Sequence, residues 1–321
     1  MKLEHVIESQ QFTVPLLMEL FARARQMERV AARGGTRDYA GRIMASLFYQ
    51  PSTRTRFSFE AAMYRLGGRV LSTEHAGAFS SEVEGEQLED TIRIISGCSD
   101  VIVLRHHEEG GARRAARVSR VPVVNAGDGG GGQHPTQALL DLYTIYRERR
   151  TLDGLTIAIV GELDRGRTAR SLAYLLGKFE RVKIHFVSPP EVRMGRDILD
   201  HLDEHDVWYD LSTDVEPIAG EVDVIYQTRI RPDRVADGAS LARCAIDERL
   251  LRRMKPDAMI LHPLPRTVEI DKAVDGDPRA LYFKQAGNGL FVRMALLTLL
   301  FERDDEEPDA PWPPQRRRED R

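Results

Sequence analysis

Between positions 52 and 56 the chain reads Ser52-Thr53-Arg54-Thr55-Arg56, three hydroxyls and two guanidiniums in five consecutive residues. The apolar run Leu47-Phe48-Tyr49 precedes them, and the spacing of Phe57, Ala61, Tyr64 and Leu66 after them is helical. The segment therefore reads as a strand turning into a helix, with Ser52 as its N-cap. Unpaired amides at a helix start, the helix dipole and a guanidinium fork together suit a phosphate or another anion. The same residues also suit a capped surface helix with solvated arginines, so the stretch takes its meaning from the others.

Five further segments have residue types that could do chemistry. His134-Pro135-Thr136-Gln137 follows the glycine-rich loop 127–133 and opens a helix. Glycines let a backbone come close to a ligand, and a histidine beside a helix start can donate to a developing oxyanion. A lone loop histidine is more often structural. Arg105 stands just after a strand, where ligands of open α/β sheets gather, although by itself it would be a surface arginine. Gly161-Glu162-Leu163-Asp164-Arg165-Gly166-Arg167-Thr168 also follows a strand, but it lacks the G-x-G-x-x-G spacing of a dinucleotide loop. That leaves Arg167 as an anion ligand at a helix start. Gln227-Thr228-Arg229-Ile230-Arg231 follows another strand. His262-Pro263-Leu264-Pro265-Arg266 ends one more, its prolines fixing a loop whose carbonyls can face a ligand amide.

Strands alternating with helices must position these loops. Strand signals fall at 45–49, 101–104, 121–125, 155–160, 182–187, 222–226 and 258–261, with helical patterns between most of them, such as 136–149 and 168–179. The pattern predicts an α/β fold of two domains, each a parallel-sheet α/β sandwich, joined by long helices. The amphipathic helix 136–149 and the turn Asp153-Gly154 mark the boundary between them. A helix at 290–301, after Gly287-Asn288-Gly289, is expected to pack back on the first domain. The expected division is 1–135 plus 286–303, the linking helix 136–149, a second domain at 150–285, and a charged, proline-bearing tail at 304–321 that reads as disordered.

A chain of 321 residues has room for two cores, and 42% hydrophobic with 30% charged residues fits a globular protein. The net charge of −4 gives no overall basic bias toward nucleic acid or anionic lipid. Cys98 and Cys244 have no metal-ligand spacing, and no segment reads as a signal peptide or bilayer span. A cytoplasmic protein with no nucleic-acid or membrane partner is expected.

These segments, in this order, resemble the catalytic chain of the aspartate carbamoyltransferases, and the resemblance runs to the helix ending near Phe301. Ser-Thr-Arg-Thr-Arg with a later His-Pro-Thr-Gln is similar to the carbamoyltransferase superfamily as a whole. The forms His262-Pro263-Leu264-Pro265 and Gln285-Ala286-Gly287-Asn288-Gly289 resemble its aspartate branch. The resemblance implies carbamoyl transfer to aspartate, as in pyrimidine synthesis, with carbamoyl phosphate binding first in the N-terminal domain. Ser52, Thr53, Arg54 and Thr55 would hold phosphate; Arg105, His134 and Thr55 would polarise the carbamoyl oxygen. Gln137 and the carbonyls of Leu264 and Pro265 would orient the carbamoyl NH2. Arg167 and Arg229 would take the acceptor's carboxylates. No metal or organic cofactor is implied, because phosphate is already a good leaving group. The family's sites are shared within a homotrimer, a neighbour's loop delivering a serine, matched by Ser80, and an essential lysine.

Here the sequence departs from the pattern. Glu84 occupies the lysine's place, Arg231 stands where glutamine is normal beside the acceptor carboxylate, and the loop before His134 is one glycine longer. Two unit charges about 5 Å apart at an effective dielectric near 20 interact by roughly 3 kcal/mol, and a sign reversal changes the energy by about twice that. Three readings follow. Aspartate remains the acceptor and Arg231 compensates for Glu84; or Glu84 pairs with the ammonium of a diamino acid such as 2,3-diaminopropionate in specialised metabolism; or the chain binds carbamoyl phosphate without turnover.

Overall fold

The computed structural model of the chain describes residues 3–74, 85–236 and 238–302; Ser80, Glu84 and the tail at 304–321 lie outside them. Its first half runs α1 (Val14–Ala32), β1 (Ile43–Phe48), α2 (Thr53–Arg65), β2 (Arg69–Glu74), α3 (Leu88–Ile95), β3 (Val101–Arg105), α4 (Gly111–Val118) and β4 (Val123–Asn125). The four strands form a parallel sheet in the order β2-β1-β3-β4. Helix α5 (Pro135–Arg149) leads into β5 (Thr156–Val160), α6 (Arg167–Leu176), β6 (Lys183–Val187), α7 (Arg196–Glu204), β7 (Trp208–Ser212), β8 (Val224–Gln227), α8 (Gly238–Arg243), α9 (Glu248–Leu251) and β9 (Met259–Leu261). These strands form a second parallel sheet, β7-β6-β5-β8-β9, and α10 (Tyr282–Phe301) closes the described chain. Two parallel-sheet α/β units are what the alternation predicts.

Strands β1, β3, β5 and β8 are buried along nearly their whole length because helices cover both faces, which is why they read as continuous apolar runs. Strands β2 and β7 are absent from the expected set. Both lie at sheet edges, and Arg69, Leu71, Ser72, Trp208 and Leu211 are exposed, so neither has an apolar run.

The strand order of each sheet reverses once, between β1 and β3 in the first and between β5 and β8 in the second. The crevice at the carboxyl ends of strands flanking such a reversal is where open α/β sheets bind ligands. Here the two crevices face one another.

Two helices differ from expectation. Every residue of α5 from Pro135 to Ile145 is buried, so the helix has no solvent face over that length. Its polar residues therefore all need internal partners. Helix α10 starts at Tyr282 and runs through Gly287-Asn288-Gly289 without a break, eight residues earlier than the glycines suggest. Gly289 is there for packing: a Cβ at that position would collide with the Arg293 guanidinium and stand 3.1 Å from Leu140 Cδ2 on α5. Helix α10 packs on α1, α2 and α5, and Phe301 at its end meets Tyr39, ring centroids 5.4 Å apart. Among the described residues, no helix is long and apolar enough to cross a membrane.

Candidate active site

Six loops, at the carboxyl ends of β1, β3, β4, β5, β8 and β9, meet around a cleft of about 600 Å3. Among the described residues, seven arginines line it (Arg54, Arg105, Arg165, Arg167, Arg229, Arg231 and Arg293) against the single carboxylate of Glu162. In a chain whose net charge is −4, that concentration of guanidiniums marks the cleft as a site for an anion with more than one negative group.

Ser52, Arg54 and Thr55 enter it from the start of α2, where Ser52 occupies the N-cap position but makes no side-chain cap bond. Its hydroxyl and the first amides of α2 are thus left for a ligand. Thr53 is exposed and is not among the lining residues. Arg54 Nη2 donates to the Leu264 carbonyl oxygen at 2.7 Å, which ties the two domains together at one edge of the cleft.

Gly127 is the point where the chain must be bare. With φ at +111°, it has a backbone that favours glycine, and a Cβ there would stand 3.0 Å from Arg105 Nη1, 3.4 Å from Arg167 Cζ and 3.4 Å from His134 Cδ2. Two guanidiniums and one imidazole thus surround a single position. Asp128 fastens the loop: its carboxylate accepts from the Gly110 and Gln133 amides at 3.0 and 3.1 Å. Its carbonyl oxygen accepts from Arg167 Nη1 at 3.1 Å.

The electrostatics follow from that crowding. Burial, then the nearby Arg167 and Arg54, pull Arg105 down to about 9, and its Nε has no partner. Burial also lowers Arg167 and Arg54. His134 is held well below the ordinary imidazole value by burial and then by Arg105, Arg167 and Arg293. It is a neutral ring at physiological pH, able to donate one hydrogen bond but not to act as a proton reservoir. Its backbone amide donates to Ser171 Oγ at 2.9 Å, and its Nδ1 lies 3.4 Å from the Thr136 hydroxyl.

Behind Gln137 lies a device that the sequence reading missed. The Asp141 carboxylate is buried and accepts from Gln137 Nε2 at 2.8 Å, Gln285 Nε2 at 2.6 Å and the Tyr226 hydroxyl at 2.7 Å. An ionised carboxylate only accepts, so it fixes the NH2 end of Gln137 toward itself. The Gln137 carbonyl oxygen is left facing the cleft. Burial raises Asp141 to about 7 against the pull of Gln285, Tyr226 and Gln137. Gln285 carries the arrangement onward, its Oε1 accepting from the His262 amide at 2.8 Å.

The 262–265 loop is held by more than its prolines. His262 Nδ1 accepts from the Leu264 amide at 2.7 Å, and its other nitrogen faces the buried Glu269 carboxylate at 3.0 Å. Leu264 has φ at +53°, uncommon for a non-glycine residue, and its peptide to Pro265 is cis.

On the opposite wall Arg167, Arg229 and Arg231 line the cleft. Glu162 was not anticipated there. It accepts from Arg231 Nη2 at 3.0 Å and from Arg234, which also reaches Asp164 at 2.6 Å. Burial pushes its carboxyl up, but the hydrogen bonds from Arg231 and Arg234 outweigh this and hold it below the usual range. The positive charge expected of Arg231 is therefore set against a carboxylate in the same cleft. Arg293, also missed, is buried, donates to Ser58 Oγ at 2.8 Å and lies 5.0 Å over the Phe59 ring.

The fold and the cleft define an α/β protein with an arginine-lined cleft between two parallel sheets. Residues 4–147 match the carbamoyl-P binding domain of aspartate/ornithine carbamoyltransferase, and residues 153–300 match its Asp/Orn binding domain. The chloroplastic aspartate carbamoyltransferase of Oryza sativa subsp. japonica is 53% identical over 312 residues, covering 94% of this chain and 85% of the relative. The catalytic subunit of Methanocaldococcus jannaschii aspartate transcarbamoylase superposes with a TM-score of 0.88 at 43% identity, covering 95% of this chain and 100% of that one. Trypanosoma cruzi aspartate transcarbamoylase, solved with carbamoyl phosphate and aspartate, gives 0.88 at 38% identity over 93% and 96% of the two chains. The chain belongs to the aspartate/ornithine carbamoyltransferase family.

Proposed function

We propose that the chain transfers the carbamoyl group of carbamoyl phosphate to the amino group of L-aspartate, releasing phosphate. One observation carries this reading: two guanidiniums and a neutral imidazole crowd beside Gly127 and line the cleft that the outward oxygen of Gln137 also faces. That is a complete set for a carbamoyl group, donors for its oxygen and an acceptor for its NH2. The Trypanosoma cruzi relative with carbamoyl phosphate and aspartate supports both substrates.

In this mechanism the phosphate lies at the start of α2, against Ser52, Arg54, Thr55 and Arg105. Drawing Arg54 onto phosphate frees the Leu264 carbonyl for the carbamoyl NH2. The acceptor's amine attacks the carbonyl carbon, and charge gathers on the carbamoyl oxygen. Arg105, the Nε2–H of His134 and the Thr55 hydroxyl stabilise that charge without reorganising. The bond from carbon to the bridging oxygen breaks, and phosphate leaves with the amine proton. The acceptor's carboxylates lie on Arg167 and Arg229, whose forks suit bidentate recognition. Residues 1–135 with 286–303 hold carbamoyl phosphate and 150–285 the acceptor, with α5 between them.

Supplying carbamoyl phosphate with a panel of amino acids, and measuring phosphate and ureido product together, tests this. Equal phosphate and carbamoyl aspartate support it. Turnover with a diamino acid alone moves the acceptor to that class, and saturable binding without turnover makes the chain a binding protein. Replacing Glu84 by lysine is expected to raise kcat/KM for aspartate tenfold or more, because it removes a carboxylate from a site for anions. Steady-state kinetics at fixed ionic strength check this, and no rise would refute the charge argument.

The homotrimer belongs to the same proposal. Phe57 and Tyr64 on α2, Leu71 on the edge strand β2 and Ile94 on α3 are all exposed, on elements that flank the segment bearing Ser80 and Glu84. Exposed apolar side chains on these three elements suit burial against a second copy. If sites are shared, mixing chains carrying Arg105→Ala with chains carrying Ser80→Ala is expected to restore part of the native activity that neither has alone. No gain after subunit exchange would contradict shared sites.

A further inference from the structure

Away from the cleft, the last turn of α7 gathers a set of ligand-type side chains. His201, Glu204 and His205 follow a His-x-x-Glu-His spacing, which puts two imidazoles four residues apart on one helix face with a carboxylate beside them. One ligand atom from each lies within 4.8 Å of the other two. None of the three lines the cleft.

The tautomer of one ring is fixed. His205 caps the helix, and its Nδ1 is 2.8 Å from the His201 carbonyl oxygen. A carbonyl can only accept, so Nδ1 carries the proton and Nε2 keeps its lone pair. Metal-ligating histidines use this same bond to a backbone carbonyl to hold the ring and raise its basicity. His201 packs edge-on against Tyr174, ring centroids 4.7 Å apart, which restrains the second ring.

We propose that His201, Glu204 and His205 form a binding site for a divalent transition-metal ion, with Zn2+ as the best match, that staples the C-terminal turn of α7. Two imidazoles and one carboxylate suit Zn2+, Cu2+ or Ni2+, whereas Mg2+ and Ca2+ call for all-oxygen sets. Zinc holds such ligands at about 2.0–2.2 Å, and Glu204 and His205 are exposed, which leaves the group open to an ion from solvent. The carbonyl end of the helix dipole also favours a cation there. Lying outside the cleft, the ion acts on stability and not on carbamoyl transfer.

The test uses the full chain without an affinity tag, titrated with Zn2+ by calorimetry and followed by thermal unfolding. One Zn2+ per chain is expected, with a raised unfolding midpoint. His201→Ala and His205→Ala should each weaken binding at least tenfold, and Mg2+ should leave the midpoint unmoved. Both positions tolerate alanine in a helix, and unchanged melting in the presence of a chelator would show the variants folded. Carbamoyl transfer by the metal-free variants should match the native rate. Absence of saturable binding, or undiminished binding in the double variant, would overturn the proposal.

Discussion

Replacing Arg105 by alanine is expected to lower kcat by about 10²–10³, the usual consequence of removing one fixed donor from a developing oxyanion. The guanidinium is held at one point with Arg167 and His134, so no other side chain can move into its place without displacing them. The loss should not come from unfolding. Arg105 is a half-buried charge whose Nη1 donates to the Ala126 carbonyl oxygen at 3.2 Å but whose Nε has no partner, and burial and two like charges pull it down to about 9. A protein without it, measured in the absence of ligand, is expected to unfold at the same or a higher denaturant concentration. Carbamoyl phosphate should stabilise the native chain far more than the variant, since its binding relieves the repulsion among the arginines. A variant that loses activity together with ligand-free stability would instead make Arg105 a structural residue.

The second large effect is expected at Asp141, which touches neither proposed substrate. Asp141→Ala strips the acceptor from two buried amides and a buried phenol. Each orphaned donor costs about 1–3 kcal/mol, so several kcal/mol of stability should go. The Gln137 side chain, no longer held by its NH2 end, is free to turn that end toward the carbamoyl NH2, and the KM for carbamoyl phosphate should rise with it. Asp141→Asn separates charge from shape. Its amide oxygen can keep both glutamine bonds while its NH2 donates to the Tyr226 oxygen, so activity should largely survive. Stability should then change with pH in a defined direction. Asp141 titrates near 7 in the folded chain and at the ordinary 3.8 when unfolded. The folded state therefore binds the extra proton between those values, and native stability falls as pH rises through that window. The full difference is about 4 kcal/mol at 1.36 kcal/mol per unit, present above pH 7 and absent below 3.8. Asp141→Asn should accordingly be more stable than the native chain at pH 8, with the advantage shrinking toward pH 4. Denaturant midpoints across that range check it; a constant difference would place the proton elsewhere.

Much of the cleft was legible because its residues come as local segments. Ser52 to Thr55, Arg105, His134 with Gln137, Arg167 and Leu264 with Pro265 each sit where a strand ends, and strand ends announce themselves by apolar runs that stop. The residues behind them do not. Asp141 lies within Ala138-Leu139-Leu140-Asp141-Leu142 and Arg293 within Phe291-Val292-Arg293-Met294-Ala295, lone charges in apolar helical stretches. That contrast is a usable signal of a buried, partnered charge, but the partners lie on other elements and no local pattern names them. Tyr226 and Gln285 pair across 85 and 144 residues to Asp141. Edge strands β2 and β7 escaped for the opposite reason, since half-exposed strands lack an apolar run. The glycines at 287 and 289 suggested a break, yet both lie inside α10, where at position 289 the nearness of Leu140 on α5 and of the helix's own Arg293 requires a small residue.

The most direct test of the account is the carbonyl stretch of 13C-labelled carbamoyl phosphate, measured by difference infrared spectroscopy on the bound ligand. Donors fixed at Arg105, His134 and Thr55 should lower that frequency below its value in water, and Arg105→Ala or His134→Ala should return it most of the way. A bound ligand whose carbonyl absorbs as it does in water, or whose shift is unchanged in Arg105→Ala, would contradict the claim that this cleft polarises the carbamoyl group.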